Sequence, residues 1–333
     1  MVLFSIKLYL GFAVESICVV ANSSGRLDKI LSEVIKVSRN QVEKLIKDGY
    51  VAVDGNSIAK GSFKVKEGQE ICYSLPTSEV LEFEDVDFDI EILYEDDDVL
   101  VLNKPAGLVV HPAPSVKEAT LVDWLRKKGV RLSTISGEER NGIVHRLDKD
   151  TTGAILVAKS NFAHEALSRQ LQDRSMGRYY LAVINHPLKE NLIVDKPIAR
   201  NPKNRLKMAI VDGGRESKTA FAKIALSDNG HELVAMKLFS GRTHQIRVHL
   251  TALGRYILGD KLYGAKSCKY SGGILLHAYI LYFLHPRDGR MLEVKAPLQI
   301  EMRNYIEKHF DKEILNEKLE NEQIKSCFNF ING

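Results

Sequence analysis

Two short clusters in this sequence carry residue types able to do chemistry. The first runs Asn141-Gly142-Ile143-Val144-His145-Arg146-Leu147-Asp148-Lys149-Asp150-Thr151-Thr152-Gly153 and leads into the apolar run Ala154-Ile155-Leu156-Val157-Ala158. Asp148 stands near Arg146 and Lys149, and neighbouring cations hold a carboxylate in its ionised form. An ionised carboxylate in a cleft can serve as nucleophile or base. The same residues also suit a surface turn closed by a salt bridge, with Gly153 allowing a tight backbone. The second cluster is Phe239-Ser240-Gly241-Arg242-Thr243-His244-Gln245-Ile246-Arg247-Val248-His249-Leu250. Thr243 suits a helix cap, and its four-residue spacing to Arg247 sets both on one helical face. Arg242, His244, Arg247 and His249 offer donors for a phosphate or an acid. The bland alternative is an amphipathic helix whose polar residues face water.

The sequence excludes several other chemistries. His244 and His249 are five residues apart, which disfavours a helical zinc pair. Cys18, Cys72, Cys268 and Cys327 are scattered and form no CxxC pair. Neither a metal site nor a disulfide framework is expected, and four reduced thiols fit a cytoplasmic protein. No GxGxxG or Walker A loop occurs, so no nucleotide cofactor is expected. The apolar start from Met1 to Val20 is interrupted by Lys7 and Glu15. It falls short of the roughly 20 uninterrupted residues that span a bilayer, and it lacks the basic start of a signal peptide. A strand over Ser16 to Ala21 behind an irregular extension is expected, with no membrane association.

These clusters need elements to position them, and 333 residues with 44% hydrophobic content suffice for two domains. The net charge is +4, yet Pro76 to Leu100 holds eleven acids and no Lys or Arg, so the rest of the chain is markedly basic. A polyanion such as nucleic acid fits that distribution. From Arg174 to Lys218 ten Lys or Arg face four acids, and Arg200, Lys203, Arg205 and Lys207 could line a nucleic-acid path or simply a solvated loop. The apolar spacing predicts strands at Ile90 to Tyr94, Val99 to Asn103, Ile155 to Lys159, Arg178 to Ile184, Thr219 to Ala225 and Glu232 to Phe239. It predicts helices at Leu121 to Lys128, Ala163 to Arg169 and Thr243 to Leu253. The charged stretch from Gln299 to Lys325 is helix-prone.

Ahead of these lies a compact pattern. Leu27, Ile30, Leu31 and Val34 recur at helical spacing, as do Val42, Leu45 and Ile46 after Ser38, a candidate cap. A strand Tyr50-Val51-Ala52-Val53 then meets Asp54-Gly55, a strong hairpin signal. The order Arg26-Leu27-Asp28-Lys29-Ile30-Leu31, Ser38-Arg39, Val42, Leu45-Ile46 and Gly49-Tyr50-Val51-Ala52-Val53-Asp54-Gly55 resembles the S4 RNA-binding module. That resemblance makes Arg26, Lys29, Arg39, Lys44 and Lys47 candidate phosphate contacts, which supply affinity rather than sequence choice.

Together the motifs resemble the pseudouridine synthases of the RluA and RluD family. His145-Arg146-Leu147-Asp148 with Thr151-Thr152-Gly153 matches the family's catalytic motif. Tyr94 to Pro112, containing Leu102-Asn103-Lys104-Pro105, matches its first motif. Arg178-Tyr179-Tyr180-Leu181-Ala182-Val183 matches its tyrosine motif, with Arg178 where a lysine is usual. Gly241 to Leu250, then Leu258-Gly259-Asp260, Leu262-Tyr263-Gly264, Leu276-His277-Ala278 and Ala296-Pro297-Leu298 follow in the family order. The resemblance covers Gly25 to Ile306, and the S4 module ahead of it points to the RluD-like branch.

The resemblance implies an α+β fold: a small S4 domain plus a catalytic domain with a mixed, largely antiparallel sheet and a central cleft. Its expected divisions are 1–22 as an extension and short strand, 23–76 as the S4 domain, 77–90 as an acidic linker, 91–310 as the catalytic domain and 311–333 as a charged tail. It implies Asp148 as catalytic carboxylate, Arg247 as its partner, and Tyr180 packed on the target base and assisting proton removal. Arg146, Leu276, Arg242 and His244 are the implied substrate contacts. The implied reaction turns uridine into pseudouridine after base flipping. It consumes no cofactor and needs no metal. The implied partner is RNA, above all large-subunit (23S) ribosomal RNA, and the implied state is a cytoplasmic monomer. A synthase acting on transfer RNA and a non-catalytic ribosomal RNA-binding assembly factor are the rival readings.

Overall fold

Leu27 and Leu31 lie one helical turn apart and are buried, as are Val42 and Ile46 at the same spacing. They form the inner faces of α1 (Leu27–Ile35) and α2 (Arg39–Lys47). Val34, on the same period, is exposed. The computed structural model describes residues 5–6, 16–35, 39–74, 86–113, 116–133, 141–264 and 270–331. The chain divides into one unit within Met1–Phe83 and a second within Glu84–Gly333.

The first unit contains β1 (Ser5–Ile6), β2 (Ser16–Val20), β3 (Gly25–Arg26), α1, α2, β4 (Val51–Val53), β5 (Asn56–Ser57), β6 (Lys64–Val65) and β7 (Glu70–Ser74). Its main sheet has the order β1-β2-β7-β4-β5, and β3 pairs with β6. The two helices pack on Val51, Val53 and Ile71 of that sheet. The β4–β5 hairpin turns at Asp54 and Gly55, with φ of +48° and +78°. Two left-handed residues make the turn whose twist matches a hairpin. Ser38 lies outside the described residues. One expectation is overturned here: Cys18 and Cys72 are not free thiols but form a disulfide. They stand directly opposite each other on β2 and β7, a neighbourhood invisible across a sequence separation of 54. Cys327 is free, and Cys268 lies outside the described residues. The cysteines therefore no longer argue for a reducing compartment.

The second unit begins with residues 86–90, of which Val86 and Ile90 are buried. It continues through β8 (Glu91–Glu95), β9 (Val99–Lys104), α3 (Leu121–Lys127), β10 (Thr152–Ala158), α4 (Asn161–Asp173), β11 (Gly177–Ile184), β12 (Leu192–Asp195), β13 (Ile198–Arg200), β14 (Met208–Ile210), β15 (Lys218–Leu226), β16 (Glu232–Leu238), α5 (Gln245–Ala252), β17 (Leu276–Leu284), β18 (Met291–Lys295), α6 (Ile300–His309) and α7 (Asn321–Ser326). The strands order as β12-β15-β16-β11-β17-β10-β9-β8, with β18 also paired to β17. The sheet is mixed and largely antiparallel, as expected; its parallel pairing joins β10 to β17 at Thr152–His277 and Gly153–Ala278. β17, Leu-His-Ala-Tyr-Ile-Leu-Tyr-Phe-Leu, lacks polar alternation because most of it is buried on both faces, and periodicity alone did not place it.

The charged C-terminal stretch is no free tail. Met302, Ile306, Phe310, Leu319, Ile324 and Phe328 join the core behind β11, β15, β16 and β17. The Tyr279 hydroxyl donates to the Leu319 carbonyl at 2.8 Å. Among the described residues no helix is long and apolar enough to cross a membrane.

Candidate active site

Asp148 sits in the turn that leads into β10. Its carbonyl accepts from the Thr151 amide at 3.1 Å. The following carbonyl, that of Lys149, accepts from Lys104 Nζ at 2.8 Å. Lys104 ends β9 and is fully buried. Its Nζ also donates to the carbonyls of Pro105 and Leu108 at 2.7 and 2.9 Å. Three carbonyls match the three N–H bonds of an ammonium. Burial pushes the Lys104 pKa down to about 7, opposed by Asp150 and Asp148. His145, buried nearby, accepts the Leu156 amide through Nε2 at 3.1 Å. Burial, and then Arg178, hold His145 well below its ordinary pKa, so it serves the turn as a neutral acceptor.

Arg247, on the first turn of α5, reaches Asp148 from the other side. Its Nη1 donates to Asp148 Oδ2 at 3.3 Å. Its Nε and Nη2 donate to the two carboxylate oxygens of Asp260 at 2.8 Å each. Asp260 Oδ1 additionally accepts the amides of Leu262 and Tyr263, both at 3.0 Å. The Tyr263 ring lies 4.9 Å from the guanidinium carbon, within cation–π range. Burial disfavours the Arg247 charge, but Asp260, and then Asp148, carry its pKa above the usual value. The start of α5 is fixed by Gln245, whose amide donates to Lys218 O and Thr219 Oγ1 at 3.0 and 2.9 Å. His244, at φ +56°, contacts the Tyr263 hydroxyl through Nδ1 at 2.9 Å, and its Nε2 lies 4.0 Å from Asp148 Oδ2. Burial lowers the His244 pKa despite the Asp148 carboxylate.

One pocket brings these residues together. Arg146, Asp148, Tyr180, Arg242, His244, Arg247 and Leu276, the candidate catalytic and substrate-contact residues implied by the resemblance, all line it, and so do Thr151 and Arg178, whereas His249, Arg200, Lys203, Arg205 and Lys207 do not. β11 turns Tyr179 into the core behind the sheet and Tyr180 into the pocket, as the strand period requires. Burial raises the Tyr180 pKa, against Arg178 and with Asp148. Its phenol is protonated at neutral pH and better suited to donating a hydrogen bond than to acting as a base. Arg242 is exposed, and its Nε donates to Glu216 O at 3.1 Å.

The S4 candidates lie in the first unit. Lys29, Arg39 and Lys47 are exposed. Arg26 is tied to Asp28 through Nε and Nη2 at 3.0 and 2.6 Å, which leaves it less free for phosphate. Lys44 belongs to α2, and its side chain lies outside the described residues. Sequence reading gave no role to Lys104, Asp260 or Tyr263. A lysine closing the apolar strand Val99-Leu100-Val101-Leu102 was the available signal for Lys104; for Asp260 and Tyr263 it was their place in short motifs just after the arginine cluster.

In the second unit a carboxylate paired with a largely buried arginine lines a cleft of the mixed sheet, and the first unit carries exposed cations on two helices; this is the make-up of an enzyme with a separate module suited to a polyanion. A family model described as RNA pseudouridylate synthase matches residues 98–252, and one described as S4 domain matches residues 25–71. An uncharacterised RNA pseudouridine synthase of Helicobacter pylori (strain J99) is 47% identical over 91% of this chain and 95% of its own. The ribosomal large subunit pseudouridine synthase D of Zymomonas mobilis is 38% identical over 84% of this chain and 92% of its own. The solved structure of human RNA pseudouridylate synthase domain containing 1 shares the fold, with a TM-score of 0.55 and 24% identity over 74% of this chain and 97% of that one. The chain belongs to the RNA pseudouridine synthases that carry an S4 domain, and its activity is the isomerisation of uridine in RNA.

Proposed function

We propose that this synthase acts on large-subunit ribosomal RNA as a cytoplasmic monomer, with Asp148 as its catalytic carboxylate. The observation that carries the reading is the chain Asp260–Arg247–Asp148, in which one arginine is fixed by a buried acid and aimed at a second acid that faces the pocket. Arg247 pairs with Asp148 and orients it, as needed either to attack C1′ of a flipped uridine or to remove its C2′ proton. Tyr180 and Leu276 provide the walls against which the uracil ring packs, and Tyr180 offers a phenolic donor. Arg146, exposed at the rim, fills the space left in the RNA by the flipped base. Arg242 and His244 bind the flanking backbone. Lys29, Arg39 and Lys47 of the S4 unit contact phosphates. The ribosomal substrate is supported by the relatives named for the large subunit, such as that of Zymomonas mobilis.

The test is tritium release from unmodified RNA labelled at uridine C5. Wild type and Asp148→Asn are compared on large-subunit ribosomal and transfer RNA transcripts. Release from ribosomal RNA by the wild type alone is expected. Release from transfer RNA only would move the substrate to that class, and substantial turnover by Asp148→Asn would remove Asp148 from its role.

A further inference from the structure

Arg178 is 6% exposed, the one arginine among the described residues that is buried. Its side chain lines the active-site pocket together with Asp148 and Tyr180. Its Nε is buried and has no hydrogen-bond partner, and no described carboxylate pairs with it. Gly241 lies directly beside it: a Cβ at that position would stand 3.4 Å from both terminal nitrogens. Arg247, the other deep arginine, sits between two carboxylates. The titratable groups that respond to Arg178, namely His145, Tyr180 and Tyr282, are neutral at neutral pH. A buried cation without a counter-charge is strongly unfavourable. When such a cation lines a binding pocket, the missing partner belongs to the ligand.

A flipped uridine whose C1′ meets Asp148 brings a partner of the right chemistry. The uracil ring carries the carbonyl oxygens O2 and O4, and both isomerisation routes send negative charge onto them. In one, an Asp148 oxygen bonds to C1′; in the other, Asp148 takes the C2′ proton and a C1′–C2′ double bond forms. Either way the N1–C1′ bond breaks with its electron pair passing to the ring, which detaches as a uracil anion. The ring then turns, C5 bonds to C1′, the C5 proton is lost, N1 takes up a proton, and Asp148 is regenerated.

Resting on the reading of Asp148 as the catalytic carboxylate, we infer that Arg178 is a second catalytic residue, the cation that stabilises the departing uracil anion. Its charge is worth most once the ring has left, because the neutral ground-state base offers it only a carbonyl dipole. Water-poor surroundings strengthen the interaction, as for preorganised donors at other developing anions. The pocket thus separates its charges: Asp148 with Arg247 serves the sugar, and Arg178 serves the base.

The experiment compares wild type, Arg178→Met, Arg178→Lys and Asp148→Asn on one RNA substrate, carrying either uridine or 5-fluorouridine at the target. Fluorine stabilises the detached ring by its own electron withdrawal and so lessens the need for Arg178. Arg178→Met is expected to lower kcat on uridine by about 10²–10³-fold, with KM within about threefold. The deficit for cleavage of the 5-fluorouridine glycosidic bond should be at least about tenfold smaller, as expected for a charge interaction made in the transition state. Arg178→Lys should recover part of the rate. The melting temperature of Arg178→Met should match or exceed that of wild type, because an unpaired buried charge has been removed. An equal deficit on both substrates, a raised KM with unchanged kcat, or a loss of rate that follows a lower melting temperature would each overturn the assignment. Full turnover by Asp148→Asn would instead strike at the carboxylate role and take the inference down with it.

Discussion

Arg247 is held by Asp260 rather than by Asp148. Two of its nitrogens meet Asp260 at 2.8 Å, and a single one reaches Asp148 at 3.3 Å. Asp260 is 1% exposed at its side chain and also collects the amides of Leu262 and Tyr263. It is therefore the fixed end of the chain, and Asp148 is the end that faces the pocket.

Replacing Asp260 with Asn should harm the reaction without touching substrate. The pair is largely desolvated, and breaking such a pair by removing one charge costs about 3–5 kcal/mol. Lower thermal stability and a fall in kcat of about tenfold or more are expected, from loosening the group that orients Asp148. Calorimetry and single-turnover rates on the same preparation check both. An unchanged kcat in the folded variant would show that Arg247 needs no help from Asp260. By the same geometry Arg247→Ala should lose stability as well as activity, since it strands Asp260.

Stability should decline in acid through His277. This imidazole is completely buried; its Nε2 reaches Ala296 O at 3.3 Å, and its Nδ1 reaches Thr152 Oγ1 at 2.7 Å. Burial lowers its pKa to about 4, partly opposed by the Ala296 bond. Above pH ~6.5 the imidazole is neutral in both folded and unfolded chains, so it makes no pH-dependent difference. Between ~6.5 and 4 the unfolded chain takes up the proton alone, and stability falls as pH falls, by about 3 kcal/mol at the lower end. Denaturant titrations at pH 7.5 and about pH 4.5 should show this loss together with that of His145, whose pKa burial also lowers, and His277→Gln should make the total loss smaller by about 2–3 kcal/mol. An identical pH slope in the variant would assign the loss elsewhere.

Gly153→Ala should disrupt the second unit. Gly153 has φ +107°, and an added Cβ would lie 2.2 Å from the Ala278 carbonyl oxygen, in backbone that cannot step aside. The parallel β10–β17 contact that sets Asp148 and Leu276 in one pocket runs through this point. A loss of about 4 kcal/mol or more, or insoluble protein, is expected. Gly289→Ala, at φ +69° with open space around it, should cost about 1–2 kcal/mol. Similar melting temperatures for the two variants would refute the steric account.

The S4 unit should supply affinity, not rate. Lys29→Gln and Lys47→Gln remove exposed cations on separate helices. Each should weaken RNA binding and lower the slope of log affinity against log salt by about one. The rate at saturating RNA should stay at the wild-type value. A fall in kcat at saturation, with affinity unchanged, would count against phosphate contact.

Much of this enzyme was legible before folding was considered. The Asp54-Gly55 hairpin, α1 and α2, and most strands of the large sheet follow from local spacing and turn chemistry, which act over a few residues. The ordered motifs, through the family resemblance, also singled out Asp148, Tyr180 and Arg247, which the structure gathers in one pocket; spacing alone fitted a surface turn or a solvated helix equally well. β17 escaped, since a strand buried on both faces reads as a plain apolar run. The apolar positions of the C-terminal stretch were likewise hidden among its charges.

What the sequence by itself determined was the set of chemical groups and the local elements that carry them. Tertiary structure alone decided which groups meet. It placed Asp260 behind Arg247 and Lys104 under the Asp148 turn. It joined Cys18 to Cys72 and left Arg178 buried in the pocket without an anion. The physical reason is range: turn and helix preferences are set within a few residues, whereas ion pairing and burial depend on distances through space that strand order and register create.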